Sequence, residues 1–227
     1  MKGFDVNCKL SYEKALEFKN LGYDFVIRYV GREKKTVSKD IDAVEKNNIL
    51  RAGLGLGIVQ HCPPDPGIIP SASTGALWGK NAVIYSREAE YEEDCVVYLD
   101  LEDIAPEFAT KKQFIYDFGS YWYEEALKGD YSPGVYNGFD TYLTSEELYY
   151  KLRFKYYWKS FSNVPDVYKR GYSMFQKTQI KVNGIFIDPD EMMPDRFGLQ
   201  PKLMMPKKLL KSVIRIYSDG SYEGENV

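Results

Sequence analysis

Cys95-Val96-Val97-Tyr98-Leu99-Asp100-Leu101-Glu102 is the stretch on which the fold turns. Residues 95–101 are an unbroken apolar run up to Asp100, rich in β-branched and aromatic side chains, and give the strongest strand signal in the chain. The run ends in carboxyl groups. Asp100 and Glu102 stand at i and i+2, so on an extended strand they point to the same side, with Cα atoms ~6.6 Å apart at ~3.3 Å per residue.

The pattern repeats on both sides of this strand. Toward the N-terminus, strands are expected at residues 3–7, 24–30 and 54–60, with helices between them. Ser11 N-caps the first helix, Ser38-Lys39-Asp40 opens the second, and a third runs over 73–85 after the Pro-rich loop 62–72. Toward the C-terminus, a long helix over 110–128 closes at Gly129, and a strand follows at 132–137. Thr144-Ser145-Glu146-Glu147 caps the next helix, and strands at 156–161, 172–178 and 184–188 end the series. Strands alternating with helices imply a parallel sheet covered by helices, and eight such strands in a chain of this length imply closure into a (β/α)8 barrel. The last two units are short of helix, so the closure is expected to be irregular there. The barrel is assigned to residues 1–195. Residues 196–227 form a C-terminal extension, packed on the barrel, with a β-hairpin over 212–224 turning at Asp219-Gly220. The glycines of 53–57 (GLGLG) do not make a dinucleotide loop, because no G-x-G-x-x-G is present and they precede a strand rather than a helix.

The bulk properties narrow the function. The chain has 227 residues, a net charge of −3 and no dominant basic run, so the footprint of a nucleic-acid binder is absent. No apolar run reaches the ~20 residues of a membrane helix. Cys8, Cys62 and Cys95 are too few and too scattered for a disulfide framework. Met1 leads directly into the first strand with no visible signal peptide, so the protein is expected to be cytoplasmic or directed to the cell wall by a route this chain does not show. A monomer without metal or other cofactor is expected. Aromatic residues reach 15%, with 20 Tyr, a composition that suits both core packing and a sugar-binding groove.

In a parallel barrel the site lies at the C-terminal ends of the strands. The polar residues there are Asp5, Arg28, Gln60, His61, Asp100, Glu102, Tyr136, Trp158, Gln176, Asp188 and Asp190. Carboxylates thus end three separate strands that converge at one mouth. Crowded carboxylates against a dry wall cannot all ionise, so one pKa rises, and a glutamic acid kept protonated is the general acid that glycosidic cleavage needs. A purely structural role for Asp100 and Glu102, as caps or as partners of Arg28, fits the pair taken alone. Arg28 itself reads equally as a clamp for a substrate carboxylate or as an ion-pair partner.

Several segments resemble a known family. Gly3-Phe4-Asp5-Val6-Asn7, Val97 to Glu102, Pro133-Gly134-Val135-Tyr136-Asn137, Phe175-Gln176 and Gly184 to Asp190 resemble, in order, motifs of the family 25 glycoside hydrolases, the barrel lysozymes. Phe25-Val26-Ile27-Arg28-Tyr29 is more similar to a related bacterial family of glycoside-hydrolase-like barrels, and that family is favoured. Phe175 stands where the lysozymes usually have Trp. The resemblance implies Glu102 as general acid/base, Asp100 as its charge-stabilising partner, and Asp5 and Asp188 at the same mouth. It also implies Tyr136, Trp158 and Gln176 as sugar-binding residues, with peptidoglycan or a related glycan as the partner. Arg28, Gln60, His61 and Asp190 join them as substrate-binding candidates from their strand-end positions, although a lone strand-end histidine such as His61 is more often hydrogen-bonded scaffold. Asp190 can replace Asp188 in this scheme. The alternatives are a non-catalytic wall-binding or effector barrel, and a metal-dependent phosphodiesterase using Asp5, Asp100, Glu102 and His61.

Overall fold

The structure is a computed structural model and describes residues 1–34, 38–61, 67–207, 212–216 and 222–226, the last two stretches as backbone only. Seven strands lie side by side in chain order, all parallel: β1 (Lys2–Asp5), β2 (Phe25–Val30), β3 (Gly55–Gln60), β4 (Val96–Leu101), β5 (Ser132–Asn137), β6 (Tyr156–Lys159) and β7 (Met174–Gln176). The helices α1 (Tyr12–Asn20), α2 (Ala43–Arg51), α3 (Ala72–Glu88), α4 (Lys112–Lys128) and α5 (Ser145–Tyr150) connect the first six strands on the outside. Ser11, Asp42, Ser71 and Thr144 each accept a backbone N–H from the first turn of their helix, the standard satisfaction of an orphan donor. The second helix therefore starts at Ala43, later than the expected 38–40, because Asp42 rather than Ser38 supplies the cap: its Oδ1 accepts Glu45 N–H at 2.9 Å. Glycines at α3 positions 75 and 79 let this helix lie directly on the backbone of α4, where a Cβ would collide with the chain at Phe118 and Trp122.

The barrel closes differently from the expectation of eight parallel strands. After β7 the chain forms a tight hairpin, β8 (Ile180–Val182) and β9 (Ile185–Met192), joined by Asn183-Gly184 with both residues at positive φ, 49° and 85°. Asn-Gly is the pair best suited to a two-residue hairpin turn, and so short a connection joins only antiparallel strands. The strand expected at 184–188 is thus eight residues long and runs from the mouth downward. It pairs antiparallel with β7 on one side and with β1 on the other, placing Asp188 opposite Asp5. Eight strands close the barrel and β8 stands beside it as an extra strand.

Alternate residues of each strand fill the interior in layers. At the bottom lie Phe25, Val96, Met174 and Met192; above them lie Ile27, Tyr98, Trp158 and Asp190. Gly3, Gly57 and Gly134 make room for the large members, since a Cβ at each would collide with Phe25, Ile27 and Tyr98 respectively. A second, larger apolar core lies between the strands and the helices and includes Phe4, Phe18, Leu56, Phe118 and Trp122.

The segment before the C-terminal hairpin belongs to the barrel floor. Leu56 and Met204 exchange backbone hydrogen bonds at 2.8 and 2.9 Å, Val96 N–H donates to Lys202, and Leu203 is buried among the interior side chains. The final strands β10 (Ser212–Ile216) and β11 (Tyr222–Asn226) pair with each other; the expected turn at Asp219-Gly220 and Cys62 lie outside the described residues.

Candidate active site

The side chains at the mouth follow from strand parity. On β1, Gly3 and Asp5 face inward. On β2, the inward residues are Phe25, Ile27 and Tyr29, so Tyr29 reaches the mouth and its neighbour Arg28 points the other way. On β4, the inward residues are Val96, Tyr98 and Asp100, continued by Glu102 just past the strand end. Tyr136, Gln176 and Asp188 complete the ring from β5, β7 and β9.

These residues surround a cavity of about 400 Å³, lined in its lower part by Tyr29, Asp100, Glu102, Tyr136, Gln176 and Asp188. Its rim carries Phe139 and Phe161, 45% and 61% exposed, on the loops after β5 and β6. A second cavity of about 300 Å³ shares Tyr29, Gln179 and Asp188 with the first and ends at the exposed Phe186 of β9. The two cavities thus adjoin at these residues, with Phe139 and Phe161 lining the first and Phe186 the second.

Asp5 is buried beneath these cavities and held by two donors: Tyr29 hydroxyl to Oδ1 at 2.6 Å and Gln176 Nε2 to Oδ2 at 2.8 Å. Gln176 is itself oriented by Tyr136, whose hydroxyl donates to Oε1 at 2.9 Å. Burial pushes Asp5 up to about 7; the two hydrogen bonds oppose this, and the charges of Asp188 and Glu102 add to it. Glu102 is also pushed up to about 7, by burial first and by the neighbouring Asp103 second. Its side chain lies against the backbone at Gly138, where any Cβ would collide with it. Burial raises Asp188 as well, against the pull of a Gln179 hydrogen bond. The mouth therefore presents Glu102 as an acid that holds its proton near neutrality and faces open space, which is what general acid catalysis requires.

Other candidates lie elsewhere. Arg28 is fully buried on the outer side of the sheet, where Nε donates to Glu45 Oε1 at 2.6 Å and the remaining nitrogens are bonded to Val6 O, Lys39 O and Glu45 Oε2. It clamps α2 and the loops to β2 and does not reach the mouth, which corrects its reading as a substrate clamp. Gln60 likewise faces the helices: Nε2 donates to Gly31 O and Trp78 O, and Oε1 accepts Trp122 Nε1–H. His61 lies beside the second and third strand ends, 3.4 Å from Asp40 and within 3.4 Å of Arg32, and does not line the cavity. Trp158 lines the cavity as a nearly enclosed floor, 1% exposed, and Asp190 sits beneath it, accepting its Nε1–H at 2.9 Å. Trp122 packs in the outer core. Among the described residues no three His, Cys, Asp or Glu side chains are placed to hold a metal ion, and no helix is long and apolar enough to cross a membrane.

Tyr29, Phe139, Phe161, Phe186 and Gln179 were absent from the sequence-derived set. Tyr29 was legible, because it shares the face of Phe25 and Ile27 in a period-two strand. The others sit on loops or on the hairpin, where no periodicity marks them.

The fold is shared with several solved structures. The Mycobacterium tuberculosis Tat-secreted protein Rv2525c, solved with L-tartrate, is 19% identical, with 88% of this chain and 98% of that chain covered and a TM-score of 0.67. An uncharacterised B. stearothermophilus protein is 13% identical over 85% of this chain and 96% of its own, with a TM-score of 0.57. The modular autolysin LytC of Streptococcus pneumoniae, solved with a synthetic peptidoglycan ligand, is 14% identical over 83% of this chain and 46% of its own, with a TM-score of 0.52. No curated protein matches the chain. Residues 16–191 match the model of the Rv2525c-like, glycoside hydrolase-like domain, and the chain belongs to that family.

Proposed function

We propose that this barrel is a glycosidase of bacterial peptidoglycan, cleaving between N-acetylmuramic acid and N-acetylglucosamine, with Glu102 as general acid/base and Asp100 as its partner. The observation that carries the reading is Glu102 itself: it faces an aromatic-walled cavity, is raised to about 7, and stands two residues from a second carboxyl on the same strand face. Protonated Glu102 delivers its proton to the glycosidic oxygen as the bond breaks. Asp100 sets negative charge beside the oxocarbenium-like centre, and Glu102, now a carboxylate, takes a proton from the incoming water. Asp5 does not line the cavity; through Gln176 and Tyr29 it orients the wall and couples its charge to Glu102. Asp188, Tyr136 and Gln176 meet the polar edges of the sugar, and the exposed Phe139, Phe161 and Phe186 offer rings for pyranose faces along the two cavities.

Two likenesses support the substrate and place. LytC, with a similar barrel, was solved with a peptidoglycan ligand, and Rv2525c is a Tat-secreted protein, which favours a wall-directed location here. The metal-dependent alternative loses its histidine, since His61 is drawn to Asp40 and Arg32 away from the acids.

The test is to incubate purified protein with peptidoglycan, reduce the products with borohydride and identify the new termini by mass spectrometry. Muramitol ends are expected, at an unchanged rate in EDTA. Glucosaminitol ends would overturn the bond assignment, and no new ends from any wall preparation would leave a non-catalytic wall-binding barrel.

A further inference from the structure

The layer of the barrel below the acids contains a carboxyl group that the proposed chemistry does not use. Asp190 follows Asp188 by two residues on β9, so it points inward one layer deeper; it is 2% exposed and does not line the cavity. Its Oδ1 accepts the indole N–H of Trp158 at 2.9 Å, while its Oδ2 and the Tyr98 hydroxyl from β4 are buried without a hydrogen-bond partner. Such an arrangement is costly in an interior otherwise filled by Ile27, Val59 and Met174, and a buried acid is expected to have a reason.

We propose that Asp190 is a positioning residue, which fixes the Trp158 indole and through it the Tyr136–Gln176–Asp5 wall of the mouth. The contacts are continuous. The Trp158 ring meets Tyr136 edge-on at 4.7 Å, Tyr136 donates to Gln176, and Gln176 donates to Asp5. The indole has one donor and Asp190 is its acceptor, so the ring plane is set by β9, the strand that also carries Asp188. Among the described residues, the titratable groups that face Asp190 are Asp5 from β1, Asp188 from β9 and Tyr98 from β4. The two buried cations among the described residues, Arg28 and Lys46, are paired outside the barrel with Glu45 and Glu90. Burial, with Asp5 adding to it, raises Asp190 well above the usual carboxylate range.

The proposal rests on the glycan reading for its effect on binding, but its core is tested without glycan. In protein labelled with ¹⁵N at tryptophan, the Trp158 indole resonance, assigned by its loss in Trp158→Phe, is compared between the wild type and the Asp190 variants. A resonance that Asp190→Asn shifts only slightly and Asp190→Ala shifts strongly is expected. No response of the indole resonance to Asp190→Ala overturns the proposal. On peptidoglycan, Asp190→Ala is expected to raise KM about tenfold with a smaller change in kcat, Asp190→Asn to restore KM, and Asp190→Ala with Trp158→Phe to cost no more than either alone. Additive effects of the pair overturn it. If Asp190→Ala does not fold, Asp190→Ser is read in its place, with the same outcomes expected. Wild-type protein that neither cleaves nor binds glycan defeats the glycan reading and leaves the indole result to decide on Asp190.

Discussion

Glu102 and Asp5 share a pKa near 7 but not a role. Glu102 faces the cavity and can pass a proton to a ligand; Asp5 is beneath the wall with both oxygens engaged. A general acid with this pKa is active while protonated, so kcat/KM is expected to fall as pH rises through about 7. Asp103 contributes to the shift through its charge, so Asp103→Asn should move this alkaline limb to lower pH, measurable as a displaced pH–rate profile. Asp5 affects stability as well. Its folded pKa is raised above the unfolded value, so the native state binds the extra proton, and its contribution is present below about pH 4 and lost as pH rises through about 7. Thermal melts between these limits should show Tm decreasing with pH, and Asp5→Asn should flatten that slope; an unchanged slope would mean that Asp5 does not carry it.

At the scale of elements, β2 illustrates how a strand is read correctly and its face wrongly. FVIRYV is plainly a strand, and period two places Arg28 and Tyr29 on opposite sides, with Tyr29 on the face of Phe25 and Ile27 that turns inward. Arg28 was attractive because it is charged at a strand end. It is in fact the buried partner of Glu45 from α2, a contact across 17 residues that no local pattern reveals. Arg28→Met is therefore expected to leave Glu45 buried and unpaired and to cost about 3–5 kcal/mol in chemical denaturation, with kcat/KM of the folded fraction unchanged. A fall in kcat/KM without loss of stability would return Arg28 to the site. The hairpin of β8 and β9 is the opposite case. Asn183-Gly184 is a clear turn signal, and it fixes an antiparallel strand where the preceding repeat suggested another parallel one. Asp5, Asp100 and Glu102 were legible because they stand at strand ends, and Asp188, which lies inside β9, through the resemblance of its segment; Phe139, Phe161 and Gln179 were not, because loops have no period.

The molecule as a whole is a barrel with a mouth built by loops and the β8–β9 hairpin and a floor closed by residues 201–206. The eight-strand closure was legible from spacing, whereas the floor segment was not, because Leu203 and Met204 find their partners Gly57 and Leu56 roughly two-thirds of the chain away. The extension therefore divides. A chain ending at 207 is expected to melt close to the full-length protein, and one ending at 195 to melt far lower. Leu203→Ala alone should cost about 2–5 kcal/mol as a buried leucine truncation. Equal melting of the two truncated chains would show that the floor segment adds nothing. Whether the acids at the mouth of this barrel cleave a glycan is decided by reducing-end release from peptidoglycan, measured side by side for the wild type and Glu102→Gln. Release by the wild type and a loss of about 10²–10⁴-fold in the variant is expected; equal release by both proteins, or none by either, would contradict cleavage by these acids.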